Sequence, residues 1–324
     1  MAFTADSIPP LRGRTIVVTG GNSGIGFEAA RMFARQGARV ILACRDLGKM
    51  KAAAERMCAE TSGAEVDEVA LDLSDLASVR TGAAALRERA PVIDVLVNNA
   101  GVMALPLRET KDGFEMQVGT NHLGHFALTG LLLPALLAGG ADRAARVVTL
   151  SSLVHLQGSV SLEDLPKPRK YNEWTAYARS KLANVLFGYE LDRRAKAAGA
   201  PLLSTVCHPG YSATNLQSGG AKAGGSAFQG GIMKLSNALV AQSAEMGALP
   251  TAYAATAPDV RGGEFIGPGG FMAVRGYPTV GKSSKTSHDE ALARDLWAAS
   301  EKLTGVTYAF AATKAAAAPS AEAR

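Results

Sequence analysis

The chain has 324 residues, 47% of them apolar, which suits one large α/β domain or two small ones with an ample core. Lysine and arginine total 34 against 29 acidic residues, a net charge of +5, and these charges are interspersed with no basic block, which argues against nucleic-acid binding. Three scattered cysteines, Cys44, Cys58 and Cys207, form no CxxC pair, so no zinc site is expected and a reduced, cytoplasmic protein is the simplest reading.

The opening MAFTADSIPP lacks the basic region and apolar core of a signal peptide. Thr15 to Val18 is a short apolar run suited to a strand buried on both faces. Gly20, Gly21, Gly24 and Gly26 follow, then a helical pattern from Phe27 to Arg35. Strand, glycine turn and helix form the context in which backbone can approach a pyrophosphate at a helix N-terminus. Ala38 to Ala43 reads as a second strand, followed by an Ala-rich helix to Glu60. Glu65 to Leu71 is a third strand, and Ser74 is placed to cap a helix from Asp75 to Arg89. Val92 to Val97 is a fourth strand, and one long helical region is expected from Gly113 to Ala138. The greasy part of that region, from Phe126 to Ala138, is too short to span a bilayer. Ala145 to Leu150 is a fifth strand, Leu153 to Trp174 a charged connection, Thr175 to Ala198 a helix and Leu202 to Cys207 a sixth strand. Gln217 to Ala248 is read as a glycine-hinged excursion with a short helix, Glu264 to Ile266 as a seventh strand, and His288 to Leu303 as a last amphipathic helix. Ala311 to Arg324 is read as a disordered Ala-rich tail. The expected fold is a single doubly wound, mostly parallel Rossmann-type sheet of about seven strands over residues 1–310, with helices on both faces and ligands at the carboxyl ends of the strands.

Most polar candidates fall at those ends. Arg45 stands after the second strand, where an NAD enzyme would place a ribose-binding acid; a guanidinium there can pair with a 2′-phosphate, or it can be a solvent-facing turn residue. Asn121 lies inside a helical pattern, which suggests a kink or a functional amide. His122 and His125 are read as packed histidines, since no carboxylate or cysteine partner accompanies them. Tyr177 and Lys181 are four apart and share one helix face, so the ammonium is expected to lower the phenol's pKa and make it an acid–base group near neutrality. Ser152, at an upstream strand end, can hydrogen-bond a carbonyl.

The spacing Thr19-Gly20, three residues, Gly24-Ile25-Gly26 resembles the TGxxxGxG signature of the short-chain dehydrogenase/reductase family. The resemblance runs from Gly13 to Leu216, and within the family the motifs N-H-L-G-H-F, S-K-L-A-N-V-L-F and C-H-P-G are similar to the retinol-dehydrogenase-like and WW-oxidoreductase-like branch. It implies a catalytic tetrad of Asn121, Ser152, Tyr177 and Lys181. It also implies NADP held by Gly20, Asn22, Ser23, Gly24, Ile25, Gly26 and Arg45, by Asp72 and Leu73 at the adenine, and by Asn99, Ala100 and Gly101 along the floor. Tyr177 and Lys181 would also touch this cofactor, as would Pro209, Gly210 and Thr214 of a PGxxxT element beside the nicotinamide. Asn121 would hold a water linking Lys181 to solvent.

The expected activity is interconversion of an alcohol with an aldehyde or ketone, by a homodimer or homotetramer with no metal, no nucleic-acid partner and no membrane span. Residues 217–248, directly after Thr214, are read as a lid for a small apolar substrate; a surface insertion or oligomer contact is the alternative. A non-catalytic NADP-binding sensor or scaffold on the same fold is the competing function, and an epimerase or dehydratase is disfavoured by the glycine spacing.

Overall fold

The computed structural model describes residues 2–211 and 242–310. Among them the apolar runs form β1 (Thr15–Thr19), β2 (Arg39–Cys44), β3 (Glu65–Ala70), β4 (Val95–Asn98), β5 (Ala145–Leu150) and β6 (Leu202–Cys207). The sheet continues through β7 (Phe265–Pro268) and β8 (Pro278–Val280) in the order β3-β2-β1-β4-β5-β6-β7-β8. Neighbours are parallel until the last pair: β8 returns antiparallel on β7, with Ile266 opposite Val280. It is an eighth strand, one more than the hydrophobic pattern suggests, because its residues are mostly half-buried or exposed and carry no apolar run.

Strand side chains alternate between two cores. Ile16 and Val18 join one cluster with α1 (Gly24–Arg35) and α2 (Leu47–Glu60); Val17 faces the other with α3 (Leu76–Arg89). The long helical region expected over 113–138 is broken into α4 (Met116–Val118), a π-helical turn (Gly119–Leu123) and α5 (Gly124–Leu137). α6 (Glu173–Ala197) packs on the same face as α5. α7 (Ala244–Thr256) belongs to the α1 face, and α8 (Glu290–Thr304) lies on α6 and α5.

Several boundaries depart from expectation, among them β4, which begins at Val95 rather than Val92. Asp75, not Ser74, caps α3, accepting from Ala77 N and Ser78 N, while Ser74 bonds Asp72. α1 begins at Gly24 rather than Phe27. The last residues of the expected lid, 242–248, enter α7, with Ser243 capping it; residues 217–241, Thr214 and the tail 311–324 lie outside the described residues. No described helix is long and apolar enough to cross a membrane.

The strand order reverses between β1 and β4, and a crevice opens beyond their carboxyl ends.

Candidate active site

The floor of the crevice is built from β1 outward. The Thr19 hydroxyl oxygen accepts from Asn99 N (2.9 Å) and Ala100 N (3.0 Å), and the Asn99 amide donates to Thr19 O at 2.7 Å. His125 holds that hydroxyl from below: its Nδ1 is 3.0 Å from Asn121 O and its Nε2 2.9 Å from Thr19 Oγ1. A carbonyl only accepts, so the proton is on Nδ1 and Nε2 accepts from threonine. Burial pushes His125 down to about 4 and keeps it neutral. The π turn brings this about, because it aims the Asn121 carbonyl at His125 and the Asn121 amide at Val102. Asn121 Oδ1 accepts from Val102 N (2.8 Å), and Nδ2 donates to Val102 O and Ser180 Oγ, both at 2.9 Å. Asn99 to Val102 is thus fastened at both ends.

Above the floor lies the glycine turn. Gly24 has φ +57, which disfavours a side chain, and a Cβ on Gly26 would meet Gly20 O at 2.6 Å. Ser23 precedes α1 without a side-chain cap bond, so the N–H groups of the first turn remain open to the cleft. The cleft measures about 440 Å³ and runs from Arg45 and Asp72, past Gly20–Gly26, to Tyr177, Lys181 and Pro209. The open N–H groups and the close backbone approach fit a pyrophosphate. At the far end Arg45 is 71% exposed and lies 4.0 Å from Asp72. Asp46, next in the chain, accepts from Lys49 N, pairs with Lys49 Nζ at 2.8 Å and caps α2. Asp72, Leu73, Asn99, Ala100 and Gly101 line the cleft as expected. Cys44, Lys49, Thr120 and Ser151 also line it and were not anticipated; Lys49, a cation four residues after Arg45, is the one that charge alone could have flagged.

The reacting end is carried by α6. Lys181 Nζ lies 5.7 Å from the centroid of the Tyr177 ring and donates to Leu150 O at 3.2 Å. Ser151 Oγ donates to Lys181 O at 2.8 Å, tying β5 to α6. A Cβ built on Gly101 would lie 3.0 Å from Asn121 Oδ1 and 3.6 Å from Lys181 Nζ, so both converge over that glycine. Ser152 starts the short turn after β5, its carbonyl held by His155 Nδ1 at 2.7 Å. Its hydroxyl accepts from Val154 N at 3.5 Å and lies near enough to Tyr177 to favour the phenolate.

Electrostatically, burial dominates this end. It pushes Tyr177 up to about 12, with the Ser152 bond opposing, and pushes Lys181 down to about 8. The expected lowering of the phenol by the lysine is therefore not found in the protein by itself, since desolvation of a fully enclosed phenolate outweighs a cation beyond hydrogen-bond reach. His122 points elsewhere, to Ser300 Oγ at 2.9 Å, and no cluster of three metal-ligating side chains occurs among the described residues. Gly210, with φ +66, sits against Val274 O at the Pro209 end.

A family model described as short chain dehydrogenase matches residues 14–223. Human retinol dehydrogenase 13 is 42% identical over 301 residues, covering 91% of this chain and 85% of that protein. A solved structure of an uncharacterised protein from Mycobacterium paratuberculosis is 43% identical, covers 95% of this chain and 100% of its own, and has a TM-score of 0.77. A short-chain dehydrogenase from Shigella flexneri, solved with NADP, is 25% identical, covers 79% of this chain and 97% of its own, and has a TM-score of 0.60.

Proposed function

The chain belongs to the short-chain dehydrogenase family, in its retinol-dehydrogenase-like branch, and from its CH–OH dehydrogenase activity we propose the finer reading of an NADP-dependent enzyme for a small apolar alcohol and its aldehyde or ketone. The observation that carries this reading is the convergence of Tyr177, Lys181 and Asn121 at one end of a glycine-floored cleft whose other end carries the exposed Arg45 guanidinium, only loosely held by Asp72. Gly20 to Gly26 and the open first turn of α1 would hold the pyrophosphate, Arg45 with Lys49 the 2′-phosphate, Asp72 and Leu73 the adenine, and Pro209 the nicotinamide side. When bound, NADPH would supply a hydride to the carbonyl carbon.

The chain's own groups supply the rest. Ser152 orients the substrate oxygen. Tyr177, kept protonated by burial, donates the proton in the reductive direction. The Lys181 ammonium beside the ring stabilises the phenolate left behind, and Asn121 holds the Gly101–Val102 backbone under the site. The likeness to a retinol dehydrogenase supports an apolar substrate. Three unpaired thiols, Cys44, Cys58 and Cys207, suit a reducing compartment, and we place the enzyme in the cytoplasm as a homodimer or homotetramer.

Turnover of retinal and shorter apolar aldehydes with NADPH, followed at the nicotinamide absorbance, tests the reading. Tyr177→Phe should hold NADPH affinity within a few-fold while turnover falls by at least about a hundredfold. Tight NADPH binding with no turnover on any carbonyl would leave a cofactor-binding sensor in its place.

A further inference from the structure

The Ser152 hydroxyl is held loosely by its own loop. It takes a long 3.5 Å bond from Val154 N, whereas the Asn121 side chain makes bonds of 2.8 and 2.9 Å. The firmer hold is on the Ser152 carbonyl. The residue is extended (φ −155, ψ 157), and its carbonyl oxygen accepts twice from His155. One bond comes from the backbone N at 3.0 Å and closes the turn Leu153–Gln157; the other comes from the ring Nδ1 and is shorter, 2.7 Å.

That ring is itself fixed. His155 is fully buried, and its Nε2 accepts from Ser284 N at 3.1 Å. A carbonyl only accepts and a backbone N–H only donates, so the proton is on Nδ1 and a single neutral tautomer satisfies both neighbours. Burial pushes the ring's pKa down and keeps it neutral. Phe265 of β7 packs on it with centroids 5.0 Å apart, and also stacks on His208 at 5.2 Å, whose Nδ1 accepts from Gly210 N. The turn is pressed on α6, where a Cβ on Gly158 would meet Ala178 O at 2.7 Å. An enclosed imidazole is costly unless both nitrogens are bonded, and here one of the two bonds goes to Ser152.

We infer that His155 is the positioning residue of Ser152: its Nδ1–H, on a ring braced by Ser284, fixes the Ser152 carbonyl and so aims the hydroxyl beside Tyr177. Holding the carbonyl sets ψ of Ser152, and with it where Cβ stands relative to the turn. His155 acts through Ser152 alone, so the inference rests on the part given to Ser152 in the proposed function.

Two substitutions separate the ring's bonds. In His155→Asn the amide nitrogen can stand in for Nδ1, and Ser284 N loses its acceptor. In His155→Gln the amide oxygen can stand in for Nε2, and Ser152 O loses the ring donor. Turnover of an aldehyde with NADPH should fall about five- to tenfold in His155→Gln and return to within about twofold of wild type in His155→Asn. NADPH affinity should not change in either. Amide exchange at Ser284, followed by NMR, should run in the opposite order, fast in His155→Asn and slow in His155→Gln. Ser152→Ala should lower turnover by itself, and adding His155→Gln should then cost nothing more; a general fold defect would lower both backgrounds by the same factor. Wild-type turnover in His155→Gln, or an equal loss with and without the Ser152 hydroxyl, overturns the inference. So does a ¹⁵N spectrum of the wild-type ring with the proton on Nε2, a measurement that needs no variant to fold. Full turnover in Ser152→Ala would instead remove Ser152 from the proposed function, and this inference with it.

Discussion

Arg45 and Asp46 are neighbours with opposite assignments. Asp46 is committed to the start of α2 through Lys49 N, so it is not free to take a ribose hydroxyl. Arg45 stays 71% exposed at the open end of the cleft, only loosely associated with Asp72. If it receives the 2′-phosphate, Arg45→Asp should weaken NADPH by about tenfold or more and leave NADH within a few-fold, read by fluorescence titration of both cofactors. Lys49 also lines the cleft, so Arg45→Ala should be milder than Arg45→Asp, and adding Lys49→Ala should restore the difference. An unchanged preference between the two cofactors in Arg45→Asp removes Arg45 from the site.

At the scale of elements, the break between α4 and α5 matters most. An uninterrupted α-helix would satisfy its own carbonyls and point Asn121 and His125 differently. The π turn instead spends an extra residue, and two glycines let it sit close to its neighbours. A Cβ on Gly119 would meet Thr110 Cγ2 at 2.4 Å, and one on Gly124 would meet Leu73 O at 2.4 Å. Leu73 lines the cleft, so pressure on it should reach the cofactor. Gly124→Ala is expected to lower stability by about 1–3 kcal/mol and to weaken NADPH several-fold. Gly48→Ala is the control: on the exposed start of α2 its Cβ meets nothing nearer than 3.7 Å, and gained helix propensity should raise stability by up to about 1 kcal/mol. Urea midpoints and cofactor titrations of the two variants decide it; equal behaviour would mean that α5 moves freely away from Leu73.

Across the whole molecule, buried histidines set the response to acid. Burial pushes His122 down to about 3 and His125 and His208 to about 4, while an unfolded chain protonates histidine near 6.5. Between pH 6.5 and about 4 the unfolded state binds protons that the folded state refuses, so stability falls as pH falls, by up to about 1.4 kcal/mol per pH unit for each histidine. Lys181, pushed down to about 8, acts in the alkaline window: from there to its ordinary 10.5 only the unfolded chain carries its proton, so stability gains as pH rises. The urea midpoint should drop clearly from pH 7 to pH 5, and His208→Gln should flatten that slope by about a third at most, since burial lowers His155 as well. A midpoint unchanged between the two pH values would mean these rings are charged in the folded state.

The parallel strands, the glycine turn and the Tyr177–Lys181 pair were all legible in the sequence. Each depends on near neighbours: an apolar run of four to six residues, a turn that demands positive φ at Gly24, or an i,i+4 spacing on one helix. Arg45, Asp72 and the Asn99–Gly101 floor were legible for a related reason, since in a doubly wound sheet every strand end faces the same crevice. β8 was not, because a three-residue edge strand with little apolar content has no local signal until β7 is there to pair with it. Nor was the support beneath the floor: Thr19 meets Asn99 across 80 residues and His125 across 106. The state of Tyr177 likewise belongs to the tertiary structure. Spacing placed a cation beside the phenol, but its enclosure, decided by helices and loops distant in the chain, sets the larger effect, because removing water costs a phenolate more than one unbonded ammonium returns.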